Sequence, residues 1–270
     1  MKKEKVGIFD SGIGGLGIIQ ELSPLFGSYD FEYYADDLHS PYGEKSEEFV
    51  LERSIEICKH FLSRGISLIV VACNTATALS IDKLRQLFPT LNFVGVEPYL
   101  NVLNKEPNLL NHDSKTIVLT TQAMGSSQRF LSLQKRLDPQ GLIEHRCCPK
   151  LASLIESGFF EGINLKWHQE VLKELDFFKT SAHGQVILGC THYSFVSVIF
   201  EKEFNLRVID SATHIARRIF DLLGEGHLSL SGNLEGEFLF YRSSTRQYEY
   251  FTNKKLFKLN LELEKLYESK

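Results

Sequence analysis

The feature that most constrains this chain is a regular alternation between apolar runs of strand length and longer stretches with helical period. The runs Val6–Phe9, Phe31–Tyr34, Leu68–Ala72, Phe93–Val96, Thr116–Thr120, Val186–Gly189 and Arg207–Ile209 predict strands. Between them lie amphipathic segments such as 46–64. There Leu51, Ile55, Cys58 and Leu62 are expected on one face, and Gly65 is expected to end the helix. Strands and helices in alternation give an α/β fold of mostly parallel sheets flanked by helices. Such sheets bind ligands at the carboxyl ends of their strands, so the residues just past each apolar run carry the functional information.

Those residues repeat a plan. Val6–Phe9 runs into Asp10-Ser11 and then glycines, and Leu68–Ala72 runs into Cys73-Asn74-Thr75. In the second half, Thr116–Thr120 ends at Thr121 and Val186–Gly189 runs into Cys190-Thr191-His192. A polar tip precedes a cysteine-bearing tip at nearly the same separation in both halves, and IVVACNTA matches VILGCTHY around the cysteines. The pattern predicts two similar lobes with an active site in the cleft between them: 1–97 plus 211–270 as the first, 98–210 as the second. The tail from Ser211 is expected to return over the first lobe and to end in a helix. Leu256, Leu259, Leu263 and Leu266 would share one side of that helix as core or interface packing.

Composition removes several classes of function. A net charge of -4 and a pI near 6.2 give no electrostatic case for nucleic acid or for an anionic membrane surface. The apolar run in MKKEKVGIFDSG is too short for a signal-peptide core, and no stretch is long enough to span a bilayer, so a cytoplasmic protein is expected. The 5 cysteines form an odd count with no CxxC pair, which suits neither a disulfide framework nor a structural zinc. Free thiols are expected, with Cys58, Cys147 and Cys148 as packing.

Cys73 and Cys190 invite a different reading. A cysteine at a strand tip, followed at once by a helix, meets N–H groups and a helix dipole that favour a thiolate. Asp10 is placed to serve the first thiol and His192 the second. Two thiols on opposite walls of a cleft can do what one cannot: one removes a proton from a carbon stereocentre while the other returns a proton to the opposite face. That is racemisation without metal or cofactor. Its carbanion-like transition state needs donors aimed at the substrate carboxylate, for which backbone amides, Asn74, Thr75, Thr121 and Thr191 are suited. Glu156, read alone, is a solvated helix residue.

At these residues the sequence resembles the glutamate racemases of the aspartate/glutamate racemase superfamily. The matching segments are IFDSGIGGL (8–16), YYADDLHSPYGEKS (33–46), VACNTATA (71–78), GVEP (95–98), CPKLASLIESG (148–158) and ILGCTHY (187–193). The resemblance implies a two-lobed, pseudo-symmetric α/β enzyme that interconverts L- and D-glutamate for peptidoglycan synthesis, commonly as a homodimer. It implies that Cys73 and Cys190 are the catalytic pair, assisted in proton transfer by Asp10, Glu156 and His192. It implies that Asp10, Ser11, Tyr42, Gly43, Asn74, Thr75, Thr121 and Thr191 contact the amino acid. Two departures stand out. The family's Thr-x-x-Thr after the second lobe's first strand reads Thr121-Gln122-Ala123-Met124, and its GCTHYP-Leu reads GCTHY-Ser194-Phe195. The first removes a hydroxyl near the expected carboxylate site; the second is expected to alter only how a helix begins.

Other readings compete. Gly12-Ile13-Gly14-Gly15-Leu16-Gly17 is a GxGxxG after a strand, and Asp37 follows about twenty residues on, which is the spacing of a dinucleotide fingerprint. An NAD-binding oxidoreductase is thus a remote alternative. Against it, Asp10 would set a carboxylate beside the pyrophosphate, where the fold needs donors. A one-thiol decarboxylase or isomerase of the same superfamily would not need both cysteines. An aspartate racemase would, and is the nearer alternative.

Overall fold

The computed structural model describes residues 3–106, 114–224 and 237–252, together with residues 263 and 267. The first sheet is built on β1 (Glu4–Asp10), β2 (Tyr29–Ala35), β3 (Leu68–Val71) and β4 (Asn92–Gly95). The second contains β5 (Lys115–Thr120), β6 (Ile143–Cys147), β7 (His183–Gly189) and β8 (Arg207–Ile209). The chain then returns to the first sheet with β9 (Glu237–Arg242) and β10 (Gln247–Thr252). The strand orders are β10-β9-β2-β1-β3-β4 and β6-β5-β7-β8. Every neighbouring pair is parallel except the β9–β10 hairpin.

The shared plan read from the sequence is present in the topology. The order β2-β1-β3-β4 of the first sheet recurs as β6-β5-β7-β8 in the second. In each, the first strand lies between its second and third, so the crevice at the strand tips falls in the same place. Phe9 pairs with Val71 and the Ala72 N–H donates to the Phe9 carbonyl (2.8 Å), which ends β1 and β3 side by side. Thr120 likewise pairs with Gly189, ending β5 and β7 together. The cysteine-bearing tips therefore emerge beside Asp10 in one sheet and beside Thr121 in the other.

Three strands were absent from the sequence reading. β6, IEHRC, buries only Ile143 at the edge of its sheet, exposes Glu144 and Arg146, and offers no apolar run to detect. β9 and β10 form a Tyr- and Phe-rich hairpin at the other sheet's edge, where β9 extends the parallel order from β2. Of the terminal leucine stripe, Leu256, Leu259 and Leu266 lie outside the described residues, whereas Leu263 is buried in the main core.

The helix at 47–63 corrects the expected face. Ser46 caps it by accepting from the Phe49 N–H (3.2 Å), Glu47 and Glu48 sit in its first turn, and Gly65 follows its end at φ 73. Its buried side chains are Val50, Ser54, Ile57, Cys58 and Phe61, while Leu62 is 48% exposed. The apolar stripe is rotated by one position because Val50 and Phe61 pack in the cluster with Phe9, Ile69 and Val71. The main core runs without interruption from β1 and β3 (Ile8, Val70) to β5 and β7 (Ile117, Leu119, Leu188). Among the described residues no helix is long and apolar enough to cross a membrane.

Candidate functional site

Cys73 ends the extended run after β3 and serves as N-cap of the helix Asn74–Leu87, its Sγ accepting from the Ala76 N–H at 3.4 Å. The thiol in turn points to Ser11 Oγ (3.9 Å), and Ser11 donates to Asp10 (3.4 Å). Cys190 occupies the equivalent tip after β7, but a 3-10 segment, Thr191–Val196, comes before the helix Ser197–Phe204. Its Sγ has no capping bond and instead faces His192 Nδ1 at 3.9 Å. Both cysteines are buried, at 5% and 7% exposure, so neither thiol meets bulk water freely.

Asp10 links the two tips. It accepts from the Gly12 N–H (2.9 Å) and from the hydroxyl of Thr191, just past β7 of the other sheet (3.0 Å), and it stands 3.9 Å from His192 Nδ1. A continuous line of polar contacts therefore runs from Cys73 through Ser11, Asp10 and His192 to Cys190. Glu156, expected from its own sequence context to be solvated, is drawn into the site instead. One carboxylate oxygen accepts from the Ile13 N–H (3.0 Å) and meets His192 Nε2 (2.7 Å); the other is buried without a partner. A single-sequence reading sees a helix residue, because the partner that buries it comes from a loop in the other lobe.

The charges follow from burial and these contacts. Burial raises the Asp10 pKa, and His192 and the Gly12 N–H offset only part of that rise. For His192 burial opposes protonation, but Cys190, Glu156 and Asp10 outweigh it and hold the imidazole charged well above its ordinary value. Cys73 departs from expectation. The helix N–H does reach its sulfur, yet burial and the nearby Asp10 charge push the thiol up, so the proton stays on it at rest. The two cysteines thus sit in unlike settings: one in a proton-retaining pocket, one beside an imidazolium.

The remaining expected contacts surround this pair. Thr75 and Thr121 share a hydroxyl–hydroxyl bond of 2.9 Å from opposite lobes. Thr121 caps the short helix Gln122–Gly125 through the Met124 N–H (3.3 Å). The Asn74 side chain donates to the Val96 carbonyl (3.4 Å). Tyr42 is buried, and Gly43 approaches Thr121 so closely that an added Cβ would lie 2.6 Å from Thr121 Cβ. Arg129 spans the lobes outside the site, pairing with Glu97 (2.7 Å) and Asp82 (2.8 Å).

Both departures from the family pattern have a structural account. Met124 is buried in the apolar cluster of Leu100, Val102, Val118, Phe130 and Ile187, so its side chain fills the second lobe's core. Ser194 lies in the 3-10 segment and donates to Asp210, changing how the helix begins. Cys58 and Cys148 are buried, and burial pushes each thiol up to about 12, as packing positions require. Cys147 is half-buried beside Thr120 (3.7 Å) and His145 (3.8 Å).

The glycine loop does not present a dinucleotide site. Its Gly12 and Ile13 N–H groups already donate to Asp10 and Glu156. A Cβ at Gly12 would fall 2.5 Å from Glu156 Cδ, and one at Gly14 2.5 Å from Thr191 Oγ1, so these glycines let two lobes approach. Asp37, the fingerprint's would-be ribose partner, is occupied by Arg242 (2.8 Å), Ser243 and the Ser244 N–H (2.9 Å). Among the described residues no group of three or more His, Cys, Asp or Glu gathers to hold a metal. Two supporting residues escaped the sequence reading: Tyr33, whose hydroxyl donates to the Gly12 carbonyl (2.8 Å), and Arg53, which pairs with Asp36.

No protein-family model matches the chain. It is 33% identical over 240 residues to the glutamate racemase of Stutzerimonas stutzeri, spanning 86% of this chain and 87% of that one. Among solved structures it resembles Escherichia coli glutamate racemase in complex with L-glutamate and the activator UDP-MurNAc-Ala. That match has a TM-score of 0.72 and 28% identity, covering 89% of each chain. It also resembles Francisella tularensis glutamate racemase in complex with D-glutamate, with a TM-score of 0.69 and 25% identity over 90% of this chain and 89% of that one.

Proposed function

Because the chain belongs to the glutamate racemases and is an isomerase acting on glutamate, we propose that Cys73 and Cys190 carry the chemistry as opposed acid and base. One sulfur, as thiolate, takes the proton from Cα; the Cα–H bond breaks and an S–H bond forms. The other thiol gives its proton to the opposite face of the carbanion, and the product has inverted configuration. Asp10 serves the Cys73 side, and His192, held by Glu156, serves the Cys190 side. Ser11, Tyr42, Gly43, Asn74, Thr75, Thr121 and Thr191, with Asp10, contact the amino acid. Hydroxyls and amides at its carboxylate stabilise the charge that develops there.

The observation that carries this reading is the pair of buried thiols at equivalent strand tips, joined through Asp10 and His192. We assign residues 1–97 and 211–270 to one lobe and 98–210 to the other, with the site in the cleft. The family resemblance supports a cytoplasmic homodimer that supplies D-glutamate for peptidoglycan synthesis.

The reaction needs neither metal nor pyridoxal phosphate in this scheme. Purified protein treated with a chelator and with hydroxylamine should still abolish the circular dichroism of L-glutamate. Activity lost on that treatment and restored by zinc or pyridoxal phosphate would overturn the scheme.

A further inference from the structure

Between β2 and the helix Glu47–Ser63 the chain makes a turn that carries Tyr42 and Gly43 into the cleft. We propose that Asp36, at the start of this turn, and Arg53, in the helix that follows it, are positioning residues that fix where Tyr42 and Gly43 meet the amino-acid substrate. The inference rests on the reading of Tyr42 and Gly43 as substrate contacts given above.

Asp36 lies just past β2, and its backbone N–H donates to the Asp10 carbonyl (3.0 Å), so its place is set by the same strand tip that carries the site. Its side chain is fully buried and both oxygens are in use. Arg53 Nε donates to Oδ2 (2.9 Å) and Arg53 Nη2 to Oδ1 (3.0 Å), a bidentate pair with defined geometry. The Tyr42 hydroxyl donates to Oδ2 (2.5 Å), and His39 Nδ1 meets Oδ1 (2.9 Å). Burial alone would raise this carboxyl's pKa; the donors from Arg53, Tyr42 and His39 outweigh burial and hold it below the usual range. Arg53 itself is anchored in the helix that Ser46 caps just after the turn. The pair therefore ties the start of the turn to the helix that follows it, and the Tyr42 hydroxyl ties the middle of the turn to the same carboxylate.

What the turn delivers depends on small distances. Gly43 abuts Thr121, whose hydroxyl pairs with Thr75. Tyr42 packs in the same buried cluster as Cys73, and its phenol is pushed up chiefly by burial and by Asp36. A shift of the turn by a fraction of an ångström would change the surface offered to a carboxylate without moving either cysteine. Substrate affinity should suffer before the chemical step does.

The test is steady-state racemisation of L-glutamate by Arg53→Gln, Arg53→Lys, Tyr42→Phe and the Arg53→Gln/Tyr42→Phe double variant, with rates referred to the folded fraction seen by far-UV circular dichroism. Arg53→Gln should raise KM by about tenfold or more, as expected for a lost charge-assisted pair, while kcat stays within about threefold. Arg53→Lys should recover part of the affinity, since an ammonium replaces the charge but not the fork. Tyr42→Phe should raise KM, and the double variant should raise it by less than the product of the two, because both act through Asp36. An unchanged KM in Arg53→Gln with only a lower melting temperature overturns the proposal, as does a fall in kcat at constant KM. If Arg53→Gln does not fold, Arg53→Lys and Tyr42→Phe decide by the same criteria. Tyr42→Phe separates the two layers: if it raises KM while Arg53→Gln does not, the clamp alone fails; if neither variant changes KM, the turn does not meet substrate and both readings fail.

Discussion

Replacing Gly14 with alanine places one methyl group between the lobes. The added Cβ would sit 2.5 Å from Thr191 Oγ1 and 2.8 Å from His192 Cε1, against an ordinary contact of 3.4 Å or more. Gly14 does not have a positive φ, so the backbone accepts alanine and the cost is steric. Neither neighbour can turn aside: Thr191 is bonded to Asp10 and His192 to Glu156. The gap must open by about 1 Å, and a misplacement of that size at reacting groups is worth about a hundredfold in rate. kcat for L-glutamate, followed by circular dichroism, should fall by about that factor while overpacking costs about 1–3 kcal/mol of stability in thermal melts. Gly17→Ala is the control. Gly17 has open space around its would-be Cβ and lies inside the helix Leu16–Glu21, so activity should hold and stability should rise by about 0.5–1 kcal/mol. A Gly14→Ala enzyme with more than a third of the wild-type kcat would refute the packing argument, as would an equal loss in Gly17→Ala.

Two further outcomes test the site's electrostatics and its departure from the family pattern. Iodoacetamide at pH 7 should label Cys190 ahead of Cys73, because burial and Asp10 keep the Cys73 proton in place whereas a charged imidazole faces Cys190. Labelling of Cys73, located by peptide mass spectrometry, should accelerate as the pH rises, His192→Asn should slow labelling of Cys190, and early labelling of Cys73 at pH 7 would contradict this order. Met124→Thr should leave kcat/KM for glutamate and aspartate unchanged and cost about 1–3 kcal/mol in thermal unfolding, since it buries a hydroxyl among Leu100, Val118 and Phe130. A gain in kcat/KM for glutamate would instead put position 124 at the substrate.

The sequence disclosed the parts of this molecule that obey local rules. Buried parallel strands read as continuous apolar runs, which is why β1, β3, β5 and β7 were recognisable from Ile8, Val70, Val118 and Ile187 and their neighbours. The repeated polar tips exposed the shared topology because ligand chemistry in such sheets collects there. Edge strands were less legible: β6 alternates exposed Glu144 and Arg146 with half-buried His145 and Cys147, and β10 is mostly exposed. The buried face of the helix at 47–63 lies one position from the expected one, because tertiary contacts to Phe9 and Ile69 decide which of two overlapping stripes is buried. Glu156 is assigned to the site by the family resemblance and not by its own sequence context, and Arg53 is not legible as a site residue at all, for a related reason. Their meaning lies in partners far along the chain, Ile13 and His192 for one and Asp36 for the other, and no local spacing encodes such a pairing.

The central claim is that one turnover uses both thiols, and it is tested most directly by the racemisation rates of Cys73→Ser and Cys190→Ser, each measured from L-glutamate and from D-glutamate. A hydroxyl is a far poorer base than a thiolate, so each variant should lose at least the roughly 10²–10⁴-fold due to a positioned acid–base group, and should lose it in both directions. Either variant retaining more than a tenth of the wild-type rate in either direction would contradict the two-thiol mechanism.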